Sequence, residues 1–247
     1  MEQNRQGFLN RNQLKYMVIM AMLIDHVAWA FVPTASLAGQ IMHFIGRLTA
    51  PTMAYFIVEG YCHTRNVGKY AARLGVFAFI SWFAFVYFEC GTLPITVSDG
   101  HLQVLPYFGV VYTLLLGLLA IWLWDKARWP QWCKVLGIIG ICMISVVGDW
   151  AMFDVLWCLF LYIYRDKPKA KWLAYAIVGL ICCAPMLVAV PWWSYLFMTG
   201  VFVVPLILQF CYNGEPGSRN AWNKWFFYIF YPVHLILLGI LRWNIVG

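Results

Sequence analysis

Charged residues are scarce in this sequence, making up only 11% of its 247 residues, whereas 63% are hydrophobic. So few charged groups cannot cover the surface of a soluble chain of this length. The mean hydropathy of +0.73 and the long, unbroken apolar runs indicate a polytopic membrane protein. The runs lack the ten-residue alternation of a transmembrane barrel, so the spans should be helical. The predicted fold class is an all-α transmembrane helix bundle.

Metal-binding cysteine patterns are also missing. The eight cysteines lie almost all within apolar runs, and no CxxC pair or Cys/His cluster occurs. This spacing supports neither a zinc site nor a disulfide framework, and we interpret the cysteines as small apolar residues. The basic residues are too dispersed to predict nucleic-acid binding. No internal repeat is visible, which disfavours secondary transporters built from paired repeats.

The apolar runs predict about nine spans, with the first retained rather than cleaved as a signal peptide. They lie near 14–33, 41–62, 70–90, 106–124, 132–149, 153–165, 172–190, 192–212 and 225–245. All but two of the 17 basic residues fall in the N-terminal segment or in alternate connections, and the exceptions are Arg47 and Arg242. The positive-inside rule then predicts a cytosolic N-terminus and an outer C-terminus, in one domain over 1–247. We interpret the basic turn at 165–171 as a topology signal only.

Ionisable residues inside apolar spans are functional candidates because each is costly to insert in a membrane. A short loop near residue 36 joins spans one and two, so His26 and Arg47 should lie at equal depth, about 10 Å below the outer surface. His43 shares a helix face with Arg47, and Asp149 flanks the outer turn between spans five and six. We therefore expect Asp25, His26, His43, Arg47 and Asp149 to form an outer polar cluster.

Pairing of Asp25 with Arg47 would neutralise two inserted charges together and leave His26 as the titratable member. Imidazole has a pKa suited to general-base catalysis. One buried histidine alone would more often be a packing residue, but convergence of several ionisable groups favours a functional role. His234 lies near the middle of span nine, on one face with Tyr231, and needs a partner or a ligand there.

A second polar cluster is predicted at the cytosolic end of span two. Glu59 and His63 are four residues apart, Arg65 follows, and Lys69 and Arg73 are four apart at the start of span three. Simple anchoring by positive charge explains such a turn. A pocket for a phosphorylated cytosolic ligand also explains it, because Arg and Lys hold phosphate by charge-assisted hydrogen bonds.

The sequence resembles the TraX family of integral-membrane proteins, which is associated with N-acetylation of pilin. The residues that carry the resemblance are Ile24-Asp25-His26, Gly46-Arg47-Leu48 with Pro51, Phe56 to Gly60, His63 to Asn66, Tyr70 with Arg73-Leu74, Asp149-Trp150 and Phe227 to His234. The chain departs from the family pattern at 81–85 and 109–114. Those departures concern the acceptor pocket more than the transfer chemistry.

The resemblance implies a transmembrane acetyltransferase of the bacterial inner membrane. It would move an acetyl group from cytosolic acetyl-CoA to an exported acceptor, either a pilin N-terminal amine or another envelope amine or hydroxyl. His26 would act as general base or transient acyl carrier, and Arg47 would polarise the thioester carbonyl. The expected catalytic residues are Asp25, His26, Arg47, Asp149 and His234, and the expected coenzyme-binding residues are Glu59, His63, Arg65, Lys69, Arg73 and Tyr231.

Two other functions remain open from the sequence. One is a proton-coupled transporter, in which Asp25, Glu59 and His234 would relay protons. The other is a non-catalytic assembly factor for a pilus or envelope complex. The lipid bilayer is a partner in every case, and the sequence leaves the oligomeric state open.

Overall fold

Helices dominate the chain in the computed structural model, which describes residues 7–98, 100–218 and 220–246. Within these ranges the chain divides into two compact units, which we describe separately. The first unit is drawn from Met1–Thr52 and Gly179–His234, and the second from Met53–Val178 and Leu235–Gly247. The expectation of a single domain stays a prediction. Arg5 and Arg219, two of the basic residues used for the topology, lie outside the described residues.

The helical elements agree with the predicted all-α class. In chain order the α-helices are α1 (Arg11–Phe31), α2 (Leu37–Gly46), α3 (Thr49–His63), α4 (Val67–Cys90), α5 (Val110–Lys126), α6 (Gln131–Ser145), α7 (Ala151–Ile163), α8 (Pro168–Cys182), α9 (Val204–Leu206) and α10 (Ala221–Leu241). Two 3₁₀ segments cover Ala184–Leu187 and Trp192–Val203, and two π-helical turns cover Ile207–Cys211 and Arg242–Val246.

A short antiparallel hairpin is the departure from helix in the described residues. Its strands are β1 (Ile95–Ser98) and β2 (His101–Val104), with Ile95 opposite Val104. Both strands fall between the predicted spans 70–90 and 106–124, so the hairpin lies where a connection between spans three and four was expected.

Five helical stretches of the described chain are long and apolar enough to cross a membrane. They are Arg11–Phe31, Leu37–His63, Val67–Cys90, Trp192–Cys211 and Trp225–Asn244. Gln131–Ser145 and Ala151–Ile163 are shorter apolar helices, and a helix of that length falls below the roughly 20 residues that span a bilayer. The protein is a helical membrane protein on these features, while the count of nine spans and the orientation of the termini stay predictions.

The predicted second span is interrupted. α2 ends at Gly46 and α3 begins at Thr49, so the apolar run 41–62 forms two helices rather than one. Pro51 explains the position of the break, because proline has no N–H to donate to the carbonyl four residues earlier and is accommodated best in the first turn of a helix. The interruption makes Arg47 the C-terminal cap of α2 instead of a residue in the middle of a helix.

The prolines within the last three predicted spans lie in different kinds of structure. Pro185 follows the end of α8 and lies in a 3₁₀ turn, and Pro205 lies in the irregular stretch Trp192–Cys211. Pro232 is inside the continuous helix α10. Within the first unit α1 packs against α2, and α2 packs against Trp192–Val203.

Candidate functional site

Asp25 is the centre of a buried polar cluster in the first unit. Its Oδ1 accepts a hydrogen bond from His43 Nδ1 at 2.8 Å, and its Oδ2 accepts one from Arg47 Nη2 at 2.7 Å. Asp25 and Arg47 are each 8% exposed, and His43 is fully buried. A buried charge is tolerated when it is paired and hydrogen-bonded in this way. The predicted pairing of Asp25 with Arg47 is present, and His43 is the second partner of the carboxylate.

The C-terminal turn of α2 presents both partners to Asp25. His43 and Arg47 are four residues apart, so they share one face of the helix, and the Arg47 N–H donates to the His43 carbonyl at 2.9 Å. A Cβ atom on Gly46 would overlap the side chain of Asp25. The close approach of α1 to α2 at Asp25 therefore requires glycine at position 46.

Aromatic rings from α1 and the 3₁₀ segment enclose the cluster. The Trp29 ring lies 4.4 Å from the His43 ring, and Phe197 lies 5.1 Å from His43. The Arg47 guanidinium is 5.2 Å from the centre of the Phe197 ring, which suits a cation–π contact. A Cβ atom on Gly200 would meet the Phe44 carbonyl, so glycine at position 200 allows this segment to approach α2 closely. The apolar walls exclude water and so strengthen the electrostatic contacts inside.

One imidazole nitrogen of the cluster is buried without a hydrogen bond. In the part of the chain that the structure describes, Nε2 of His43 has no hydrogen-bond partner. Nδ1 carries its hydrogen toward the Asp25 carboxylate, which can only accept. Asp25 and His43 thus form a carboxylate–imidazole pair, although sequence reasoning gave His43 no role beyond membership of the cluster.

His26 and His234 form a second buried group in the first unit. Nδ1 of His26 lies 2.8 Å from the Met22 carbonyl, and Nδ1 of His234 lies 2.9 Å from the Phe230 carbonyl. A carbonyl can only accept, so each Nδ1 carries the hydrogen in the neutral ring. His234 Nε2 lies 3.4 Å from His26 Nδ1, so it is a weaker second acceptor for the hydrogen that Nδ1 donates to the Met22 carbonyl. The basic lone pair of His26 is therefore on Nε2.

Two of the predicted site residues have contacts, within their own units, that the sequence did not predict. Tyr231, expected to bind coenzyme, packs edge-on against His26 with ring centres 6.4 Å apart and lies 5.6 Å from His234. Asp149 belongs to the second unit, where its backbone N–H donates to the Phe108 carbonyl at 2.7 Å. The roles predicted for both residues stay predictions.

The predicted phosphate-binding residues lie around the turn between α3 and α4. His63 Nδ1 contacts the Glu59 carbonyl at 2.8 Å, Arg65 and Lys69 are exposed, and the Arg73 guanidinium lies 5.3 Å from the Tyr70 ring. Exposed cations at helix ends can bind phosphate or serve as anchors, so both interpretations remain. Among the described residues, no three His, Cys, Asp or Glu side chains form a group that could hold a metal ion.

Several residues of these sites were beyond sequence reasoning. Trp29 and Phe197 are ordinary apolar residues by sequence, and nothing in the pattern pairs them with His43. Asp125 in the second unit accepts hydrogen bonds from Tyr61 and Tyr162, which are 64 and 37 positions away. Such long-range pairs leave no periodic signal in the sequence.

The fold and the buried groups define a class, a helical membrane protein that encloses a carboxylate–imidazole–guanidinium cluster and a histidine pair. This chain belongs to the TraX family, whose model, described as TraX protein, matches residues 10–242. It is 34% identical over 242 residues to a protein of Dichelobacter nodosus named Probable fimbrial assembly protein FimC, serogroup H1. That match covers 92% of this chain and 93% of the relative. No solved structure matches the chain.

Proposed function

We propose that this protein transfers an acetyl group from acetyl-CoA to an amine or hydroxyl of an exported acceptor, with His26 as general base. The observation that carries the proposal is the hydrogen bonding of His26 in the first unit. The Met22 carbonyl holds the Nδ1 hydrogen at 2.8 Å and so fixes the tautomer and the orientation of the ring. A ring held in this way presents Nε2 as the proton acceptor.

The transfer needs one proton to move twice. Nε2 of His26 accepts the proton of the acceptor N–H or O–H while the acceptor atom bonds to the acetyl carbonyl carbon. The carbon–sulfur bond then breaks, the coenzyme thiolate leaves with the electron pair, and the His26 imidazolium protonates it. General-base assistance of this kind contributes about 10²- to 10⁴-fold to a rate.

His234 supports the charged form of His26 during transfer. Its Nε2 lies 3.4 Å from His26 Nδ1 as a second acceptor beside the Met22 carbonyl, and this contact strengthens when His26 gains a positive charge. Arg47 donates from Nη2 to Asp25, which favours a positioning role for it over the predicted contact with the thioester carbonyl. Coenzyme phosphates would bind on the basic side of the protein, where Arg65, Lys69 and Arg73 remain candidates.

The name of the relative supports a pilus-related acceptor. A protein that is 34% identical over almost the whole chain is named as a fimbrial assembly protein. We therefore assign a pilus-related role to this chain, with an exported pilus subunit as the acceptor and the bacterial inner membrane as the location.

The test uses membrane vesicles containing the protein, labelled acetyl-CoA and an envelope fraction from cells that lack the protein. The unaltered protein should label an envelope product. His26→Ala should lower the rate at least about 100-fold while inserting at the normal level, because the base is lost. His101→Ala, which alters an exposed histidine in β2, should leave the rate unchanged. Full transfer by His26→Ala would contradict the role of His26.

The name of the relative also favours a second candidate, a non-catalytic factor for pilus assembly. The two candidates differ in what His26→Gln does to cells. A catalyst predicts loss of the acetylated product, whereas an assembly factor predicts normal pili with His26→Gln and no labelled product from the unaltered protein. Counting pili by electron microscopy beside the labelling assay separates them.

A further inference from the structure

A cavity of about 470 Å³ lies in the second unit, where the ends of α3, α5 and α7 meet the start of α4. Its wall includes Tyr61, Thr64, Asp125, Lys126, Tyr162 and Arg165. The volume falls within the range of roughly 300–1,000 Å³ that small-molecule sites occupy. Its wall combines aromatic rings with charged side chains, so the cavity suits a ligand that has both flat and charged parts.

Asp125 acts as the anchor of the cavity wall. Its carboxylate accepts from the Tyr61 and Tyr162 hydroxyls, each at 2.7 Å, and lies 2.9 Å from Lys126 Nζ. Burial raises the pKa of Asp125, but hydrogen bonds from Tyr162, Lys126 and Tyr61 outweigh that effect and lower the pKa to about 2. With both oxygens occupied, the carboxylate holds the two tyrosine rings, 5.3 Å apart and edge to face, instead of meeting a ligand.

The donors that remain are on Lys126 and Arg165. Lys126 has three N–H groups, gives one to Asp125, and keeps a side chain that is 67% exposed. Arg165 has five N–H groups, donates from Nη1 to the Tyr162 carbonyl at 3.0 Å, and lies 4.3 Å from the Tyr162 ring. Asp166 lies 3.5 Å from Arg165 Nε, but its side chain is 61% exposed, so water screens it. Two cations therefore keep unused donors at the cavity.

We propose that this cavity binds the phosphate groups of a nucleotide-type ligand through Lys126 and Arg165, with the Tyr61 and Tyr162 rings as the aromatic part of its wall. Arginine and lysine hold phosphate oxygens by charge-assisted hydrogen bonds. The basic turn at 165–171 then does more than set topology. The identity of the ligand rests on the proposed function, in which the ligand would be the acetyl donor acetyl-CoA.

The experiment measures coenzyme A binding to the purified full chain in detergent by titration calorimetry. Lys126→Gln and Arg165→Gln should each weaken binding about 10-fold, and the double variant should lose it, because each change removes a charged hydrogen bond to phosphate. Lys169→Gln removes an exposed charge from the same basic turn and should bind normally. Thermal unfolding without ligand checks that each variant is folded.

Competition distinguishes the sources of phosphate. Displacement of coenzyme A by adenosine 3′,5′-bisphosphate, but not by phosphatidylglycerol in nanodiscs, supports the nucleotide site. Binding of phosphatidylglycerol alone overturns it in favour of a lipid headgroup. Normal coenzyme A binding by the double variant, with loss in Arg65→Gln/Lys69→Gln instead, also overturns it and leaves the proposed function standing. Binding lost in the double variant, with no acetyl transfer by the unaltered protein, supports the cavity and contradicts the proposed function.

Discussion

Asp25 in α1 and Asp125 at the end of α5 each accept hydrogen bonds on both carboxylate oxygens. Asp25 accepts from His43 and Arg47 and is 8% exposed. Asp125 accepts from two tyrosines and Lys126, and its side chain is 26% exposed. The two carboxylates thus have similar hydrogen bonding in surroundings that differ in their access to water.

The difference in access to water determines how each carboxylate responds to the loss of a hydrogen-bond donor. Loss of one partner at Asp25 leaves a charge inside an apolar wall, where water cannot replace the missing donor, and such losses cost about 3–5 kcal/mol. At Asp125 water can replace a donor, and exposed pairs contribute about 0–1 kcal/mol. The Asp25 cluster is therefore suited to hold His43 and Arg47 in one arrangement, whereas Asp125 can exchange one of its donors for water.

The largest effect should follow from removing Arg47. Arg47→Met leaves the Asp25 carboxylate buried with one partner, so the free energy of unfolding should fall by about 3–5 kcal/mol. Thermal or denaturant unfolding in detergent micelles measures the change. Arg65→Met, at an exposed position, should stay within about 0.5 kcal/mol of the unaltered protein.

A double variant sharpens this test. In Asp25→Asn/Arg47→Met both charges are removed together, so its unfolding free energy should lie above that of Arg47→Met alone. Equal stability of Arg47→Met and the unaltered protein would mean that Asp25 is not a buried charge and would remove the contrast with Asp125.

A smaller loss of stability should follow from a substitution at Gly46, where α2 contacts α1. Gly46→Ala forces a methyl group against the Asp25 side chain, and overpacking of this kind costs about 1–3 kcal/mol. The rate of acetyl transfer should fall together with the stability because Asp25 is displaced. The measurement is unfolding together with the transfer rate.

Gly140→Ala is the matched control, since a methyl group there meets nothing within 4 Å and the residue lies inside α6. Alanine is the better helix former, so this variant should be as stable as the unaltered protein or more so. If Gly46→Ala and Gly140→Ala are equally stable, the close approach of α1 and α2 at Asp25 is not required for stability.

The sequence predicted the helices that are encoded by long apolar runs. Helices α1, α4 and α10 were expected because their apolar runs are long and bounded by polar turns. The break at Arg47 was missed because residues 41–62 are apolar on both sides of it, and the hydropathy of a run does not register a proline in a first turn. The irregular stretch Trp192–Cys211 was missed for the same reason, since its composition is that of a normal span.

The sequence predicted the contact between Asp25 and Arg47, which lie on helices that follow each other in the chain. His26 and Arg47 were expected at equal depth because a short loop joins their helices. The pairing of Asp25 with Arg47 was expected because it neutralises two charges inside the membrane together. His43 followed from its spacing to Arg47. Phe197 and the two tyrosines on Asp125 come from distant parts of the chain, where contact depends on packing rather than on spacing. Local periodicity does not contain that information.

The smallest effect should come from the exposed carboxylate. The pKa of Asp125 is lowered to about 2 in the folded protein, so its contribution to stability is present above about pH 4 and is lost as the pH falls toward 2. Tyr162→Phe removes one of the donors that lower this pKa, so it should cost no more than about 1 kcal/mol at pH 7. It should also flatten the decline of melting temperature between pH 5 and about pH 3. Tyr164→Phe is the control and should decline with the unaltered protein, whereas equal slopes for all three would show that the Tyr162 hydroxyl does not hold Asp125.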